Sequence, residues 1–70
     1  MSHKYRLILA SDISTRDGMG IELVDDASGA RLAEVFQDDK SGERTVAVFD
    51  PRPIPLADFV WFFEQADEKL

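Results

Sequence analysis

The chain has 70 residues, a formal net charge of −6 at pH 7, 44% hydrophobic and 31% charged residues, and no cysteine. These proportions are typical of a folded soluble domain, and the lack of cysteine excludes a disulfide framework and a thiolate zinc site. A single domain over residues 1–70 is close to the lower size at which one core is self-sufficient, which favours association as a source of further buried area. The acidic balance disfavours nucleic acid and anionic membrane as partners.

Four β-prone runs precede the C-terminal part of the chain. Apolar and polar residues alternate along them, which is the pattern of half-buried strands. The predicted bounds are about 4–11, 19–25, 31–37 and 44–49. One polar loop and two short turns join consecutive runs, so the sequence predicts an antiparallel β-meander in the order 1-2-3-4.

Two of the connections share the pattern Asp-x-Ser-Gly, in Asp26 to Gly29 and in Asp39 to Gly42. An aspartate side chain accepts a hydrogen bond from the backbone two residues on, and glycine takes the left-handed conformation that closes such a turn. With a bulge after its glycine, the first turn pairs Leu23 with Ala33. The same geometry at the second turn would shift the fourth strand by one residue, so that turn is expected to differ or the edge strand to carry another bulge.

The register of the first turn predicts which side chains face the helix. This inner face comprises Leu7, Leu9, Ile21, Leu23, Ala33, Val35, Val46 and Val48. The opposite face also carries several apolar residues, namely Ile8, Val24, Leu32, Phe36 and Phe49. A solvated sheet face is usually more polar than this, so part of the opposite face is predicted to be covered.

The last part of the chain predicts one helix at about residues 56–69. Pro51, Pro53 and Pro55 end the fourth strand, and a proline is well suited to the start of a helix. At about 100° per residue, most of the apolar side chains fall on one stripe that is expected to cover the sheet. The stripe comprises Leu56, Phe59, Val60, Phe63, Ala66 and Leu70, with Phe62 at its edge. The predicted fold class is therefore α+β, a four-stranded antiparallel β-meander followed by one C-terminal α-helix.

Trp61 points away from this stripe and would face water in an isolated chain. Tryptophan is enriched at the centres of interfaces because it buries a large area and keeps one hydrogen-bond donor. The predicted interface comprises Trp61, Phe62, Phe36, Phe49 and Leu32. The alternative is that Trp61 folds over its own helix edge or packs against the proline-rich connector.

No catalytic residue, cofactor site or metal site is predicted. His3 is the only histidine and lies near the terminus, and the serines stand in turn-like stretches without a nucleophile-elbow motif. A meander brings the first loop and the third turn to one end, where carboxylates could gather as ligands of a hard cation. These carboxylates belong to Asp12, Asp17, Asp38, Asp39 and Glu43. Turn chemistry accounts for the aspartates, because no run has the spacing of a calcium loop.

The leading functional prediction is a small cytoplasmic interaction or self-association module, a homodimer or a partner of another protein, with no cofactor and no membrane contact. The alternative is a single-stranded nucleic-acid-binding domain, in which Tyr5 or Phe36 stacks on bases and arginines meet phosphate. The arginines concerned are Arg6, Arg31 and Arg44. An enzyme is disfavoured because so short a chain leaves little room for both a core and a pocket.

Overall fold

A computed structural model of the protein describes residues 4–12 and 17–70, except for the side chain of Asp12. The elements are β1 (Tyr5–Asp12), β2 (Gly18–Asp25), β3 (Arg31–Asp38), β4 (Arg44–Val48) and α1 (Leu56–Lys69). All four strands pair antiparallel in one sheet in the order β1-β2-β3-β4, and α1 follows. The predicted ββββα fold is therefore confirmed.

Two identical turns connect β2 to β3 and β3 to β4, each with the sequence Asp-Asp-x-Ser-Gly. The first aspartate of each run, Asp25 or Asp38, accepts a hydrogen bond from the amide two residues on, at 3.0 and 2.8 Å. The glycines have φ angles of 76° and 75°, which is the left-handed conformation that glycine permits. The prediction that gave the acceptor role to Asp26 and Asp39 is wrong by one residue, because each turn closes on the aspartate before them.

A β-bulge in β3, rather than a difference between the two turns, brings β2, β3 and β4 into a common register. In both turns the N–H of the first aspartate donates to the carbonyl of the residue after the glycine, at 2.9 Å. Val24 then pairs with Arg31, whereas Leu23 pairs with Ala33, so Leu32 is the extra residue of a bulge. The expectation that the second turn would differ, or that the edge strand would be bulged, is wrong.

The bulge also changes the direction of Leu32, which was predicted on the outer face. Its side chain is buried and belongs to the core between the sheet and the helix. The remaining inner-face register is as predicted, because Leu23 pairs with both Leu7 and Ala33, and Val35 pairs with Val46. One inserted residue therefore keeps the hydrophobic side chains of all four strands on one face.

The helix contacts the sheet through a stripe that is rotated from the predicted one, with Phe59, Ala66 and Leu70 common to both. Phe62 is completely buried and Ala66 is nearly so, whereas Phe63 is 40% exposed and Leu56 76% exposed. The reason is that five consecutive apolar residues, 59 to 63, surround much of the helix, so a rotated helix still buries an aromatic face. The core is formed by Ile21, Leu23, Leu32, Ala33, Val35, Phe62 and Ala66.

Part of the outer face of the sheet is covered by side chains of the sheet itself. A Cβ atom built on Gly20 would lie 2.6 Å from an Oε atom of Glu34, and one built on Gly18 would lie 2.5 Å from the Phe36 ring. The two glycines therefore let the neighbouring side chains lie over β2, and Phe36 is buried without a helix above it. Val24 is buried on this face as well. At Val24 and Phe36, therefore, the predicted cover of the outer face comes from the same chain.

The rotation of the helix predicts unequal costs for two adjacent, chemically identical substitutions. Phe62→Ala is expected to lower the free energy of unfolding by about 3–5 kcal/mol, because it empties a buried aromatic site. Phe63→Ala is expected to cost about 1 kcal/mol or less, because the ring is already partly in water. Urea denaturation followed by circular dichroism at low protein concentration measures both. Equal costs, or a larger cost for Phe63→Ala, would place the helix on the predicted stripe instead.

Candidate functional site

The inner face of β4 is not covered by the helix. Val46 and Val48 point to the helix side of the sheet, yet they are 49% and 55% exposed. Val60 and Phe63 are the exposed apolar residues of the facing helix surface. We call Val46, Val48, Val60 and Phe63 the apolar strip. Exposed apolar side chains that lie together in this way mark interaction surfaces.

Three residues of the strip, Val46, Val60 and Phe63, line a groove between β4 and α1 of about 520 Å³. One end is bridged by Arg44, whose guanidinium lies 2.7 Å from a carboxylate oxygen of Asp67 and 2.6 Å from the amide oxygen of Gln37. An ion pair exposed to this degree contributes about 1 kcal/mol or less. Glu64 also lines this end. The groove is thus apolar along its length and polar at its rim.

A second groove of about 520 Å³ lies beyond Val48, between Phe59 and the connector that leads to the helix. The connector is held by Arg52, which contacts a carboxylate oxygen of Asp50 at 2.9 Å and one of Asp25 at 3.4 Å. The hydrogen bonds from Arg52 hold the pKa of Asp50 below its usual value. The exposed apolar surface therefore extends from β4 to the connector, which Arg52 ties to the end of β2 at Asp25.

The outer edge of β4 is open. Among the described strands, β4 pairs only with β3. Hydrogen bonds from Asp38 to Glu43 and from Phe49 to Leu32 identify the positions that bond to β3. Because these positions alternate in an antiparallel pair, the N–H and C=O groups of Arg44, Val46 and Val48 point outward. All five residues of β4 are exposed, and Arg44 is the only charged one.

Trp61 lies against its own chain, so the prediction that it faces water is wrong. Its indole stacks on the Tyr5 ring, with 6.3 Å between ring centroids and 25° between planes. The side chain is half-buried and packs against the core. Its Nε1 is buried and has no hydrogen-bond acceptor among the described residues. The stacking partner lies on β1, whereas the alternative named its own helix edge or the proline-rich connector.

Tyr5 also fixes the first turn of the helix to β1. Its hydroxyl donates a 2.6 Å hydrogen bond to a carboxylate oxygen of Asp58, which lies 3.5 Å from the Lys4 ammonium. Burial of the phenol, followed by the adjacent Asp58, raises the pKa of Tyr5 to about 12. A phenol with this pKa stays protonated at neutral pH and cannot serve as a base there. The contact is structural in character.

The residues of the predicted interface are dispersed by the fold. Phe62, Leu32 and Phe36 are buried within the chain, and Trp61 is half-buried. Phe49 is exposed, and the Arg31 guanidinium lies 4.5 Å from the centroid of its ring. An interface role for this set stays a prediction. The apolar strip was missed because its residues were assigned to the core.

The end of the first loop, at Asp17, lies beside the β3–β4 turn, as predicted. The Asp39 amide donates a hydrogen bond to the Asp17 carbonyl at 2.9 Å. Within the described part of the chain, no three acidic or histidine residues come together as a metal site. His3, Ser14 and the side chain of Asp12 lie outside the described residues. Further turn hydrogen bonds run to the hydroxyls of Ser28 and Ser41.

A scan against protein-family models and searches of curated proteins and of solved structures find no match to this chain. Among the described residues, no helix has the length and apolar character needed to cross a membrane. The surface geometry is therefore the basis for a functional proposal.

The raised pKa of Tyr5 predicts a loss of stability at alkaline pH. Because the folded-state pKa of about 12 exceeds the ordinary value of 10.0, the contribution is complete below pH 10 and is lost as pH rises toward 12. Phenolate absorbance reports this group alone, since the chain has one tyrosine.

The variant Asp58→Asn is expected to lower the Tyr5 pKa but to leave it above 10, because burial is the largest cause of the shift. Wild-type titration near pH 10 would contradict the packing of Tyr5 beneath the helix.

Proposed function

We propose that the protein is a small self-association module that forms a homodimer through the apolar strip. The observation that carries this proposal is the position of the strip beside an unpaired strand edge. Apolar side chains and unsatisfied backbone groups on one surface are both stabilised by pairing with another chain. The proposal keeps the cytoplasmic location that the sequence predicts and involves no cofactor.

The size of the strip indicates a weak dimer. Complete burial of a Val or Phe side chain contributes about 1.5–3 kcal/mol, and the strip residues are already about half-buried. Part of that gain is offset by the entropy lost on association. A standard interface takes about 800 Å² from each partner, whereas the strip has only four large side chains. We therefore expect micromolar rather than nanomolar affinity.

The nucleic-acid alternative gains no support from the side chains on which it was based. Tyr5 is packed against Trp61, and Phe36 is buried. Each of the three arginines contacts an acidic residue of its own chain. The pairs are Arg6 with Asp26 at 3.0 Å, Arg31 with Glu22 at 2.9 Å, and Arg44 with Asp67 at 2.7 Å. No aromatic platform with free cations is available on these residues.

Light scattering on a size-exclusion column tests the proposal across a range of protein concentrations. The wild type is expected to show a concentration-dependent rise toward twice the mass of one chain. Phe63→Asp is expected to raise the dissociation constant at least tenfold, because a carboxylate would be desolvated in an apolar contact.

Leu9→Asp is the matched control, since Leu9 is 48% exposed on the same face but at the opposite edge of the sheet. Its dissociation constant is expected to stay within about twofold of the wild-type value. A wild type that stays at the mass of one chain up to high micromolar concentration removes the proposal. Dissociation caused by Leu9→Asp instead of Phe63→Asp would move the interface to β1.

A further inference from the structure

We infer that two copies of the chain pair through their β4 edges, antiparallel, with a two-fold axis at Val46. The result is one continuous sheet of eight strands with both helices on the same side. This inference rests on the proposed self-association and specifies its geometry. It assigns an interface to backbone groups of β4 as well as to the apolar strip.

The position of the axis follows from the outward-pointing backbone groups. With the axis at Val46, Arg44 lies opposite Val48 of the second copy, and Val46 lies opposite its own equivalent. All three outward residues are then paired, and at two hydrogen bonds for each of three pairs the interface has about six. An axis at Thr45 or Ala47 pairs only two of the three outward residues and forms about four. The five-residue strand therefore pairs most completely about its central residue.

The side chains of β4 are compatible with this pairing. The two Val46 side chains meet on the helix side, and cross-strand β-branched pairs of this kind stabilise a sheet. Thr45 and Ala47 meet on the opposite side and are small. No like charges lie opposite each other, because Arg44 faces Val48. The central contact is therefore apolar and free of repulsion.

Charge favours a second copy at this edge. Two chains with a net charge of −6 repel each other, but β4 carries a single charge and it is positive. Within β4 itself the two acidic copies therefore meet without opposing carboxylates, while Glu64 and Asp67 of the helix lie at the rim of the groove and Asp67 is paired with Arg44.

The pairing also brings together the β4–α1 grooves of the two copies. Val60 and Phe63 of each copy then border one shared apolar floor around Val46, so the same contact covers strip surface from both chains. A foreign extended peptide could bind the edge as well, but it would leave the wild type at the mass of one chain. The oligomeric state of the wild type separates these two occupants.

Single-cysteine variants test the register, because the chain has no cysteine of its own. Across the proposed axis the two Cα atoms at position 46 lie about 5.5 Å apart, within disulfide range. The two Cα atoms at position 48 are displaced by four residues, about 13 Å along the strands, which is out of range. Val48→Cys is a matched control, since both valines lie on the same face with similar exposure.

Under mild oxidation at a concentration where the wild type is dimeric, Val46→Cys is expected to form the linked dimer at least tenfold faster than Val48→Cys. Non-reducing electrophoresis measures both rates. Equal rates, or faster linkage at position 48, overturn the register while a dimeric wild type leaves the proposed function intact. A wild type without dimer removes both.

Val46→Pro distinguishes backbone pairing from side-chain contact alone. Proline is tolerated at an edge position whose N–H points outward, so circular dichroism is expected to show an intact fold. The variant lacks the central donor and is expected to dissociate at least tenfold more readily than Val46→Ala, which keeps it. Equal dissociation constants for the two variants would overturn the inferred strand pairing.

Discussion

The fold depends on the fact that one helix is narrower than a four-stranded sheet. A helix with its side chains is about 10–12 Å across, whereas four strands spaced at about 4.8 Å are roughly 15–19 Å wide. One edge of the inner face must therefore stay uncovered. The complete burial of Phe62 among residues of β2 and β3 determines where the helix lies. Every residue of β4 is left exposed, whereas β1 keeps Tyr5 and Leu7 packed against the core.

The attachment of the helix is asymmetric, and this asymmetry favours the same outcome. On the β1 side, Tyr5 contributes both a stacking contact with Trp61 and a short hydrogen bond to Asp58. On the β4 side, the ion pair between the helix and the strand joins Arg44 to Asp67, and it is exposed to solvent. A partly buried aromatic contact combined with a short hydrogen bond is stronger than a solvent-exposed ion pair. The helix is thus held toward β1, and the groove beside β4 stays accessible.

The sequence was sufficient to predict the order of the strands and most of the inner face, because turn residues and alternation both act over short distances. Alternation alone could not identify the bulge at Leu32, since one inserted residue changes its own direction and leaves every later residue in register. Helical periodicity could not determine the rotation of α1, because the apolar run from 59 to 63 permits several buried faces. That ambiguity placed Trp61 on the surface and Val60 and Phe63 in the core. Val46 and Val48 were placed in the core for a different reason, because one helix does not cover the full width of the inner face.

The open edge of β4 is the part of the fold that association changes most. Natural sheets protect their edges with charges, prolines, bulges or covering elements, and within β4 Arg44 is the only such feature. A long-lived apolar edge of this kind invites uncontrolled strand addition unless it has a defined partner. A two-fold contact between identical edges is closed, because each copy uses the same surface and presents no second copy of it. Pairing at Val46 would therefore bury the exposed valines and end further strand addition at β4 in the same step.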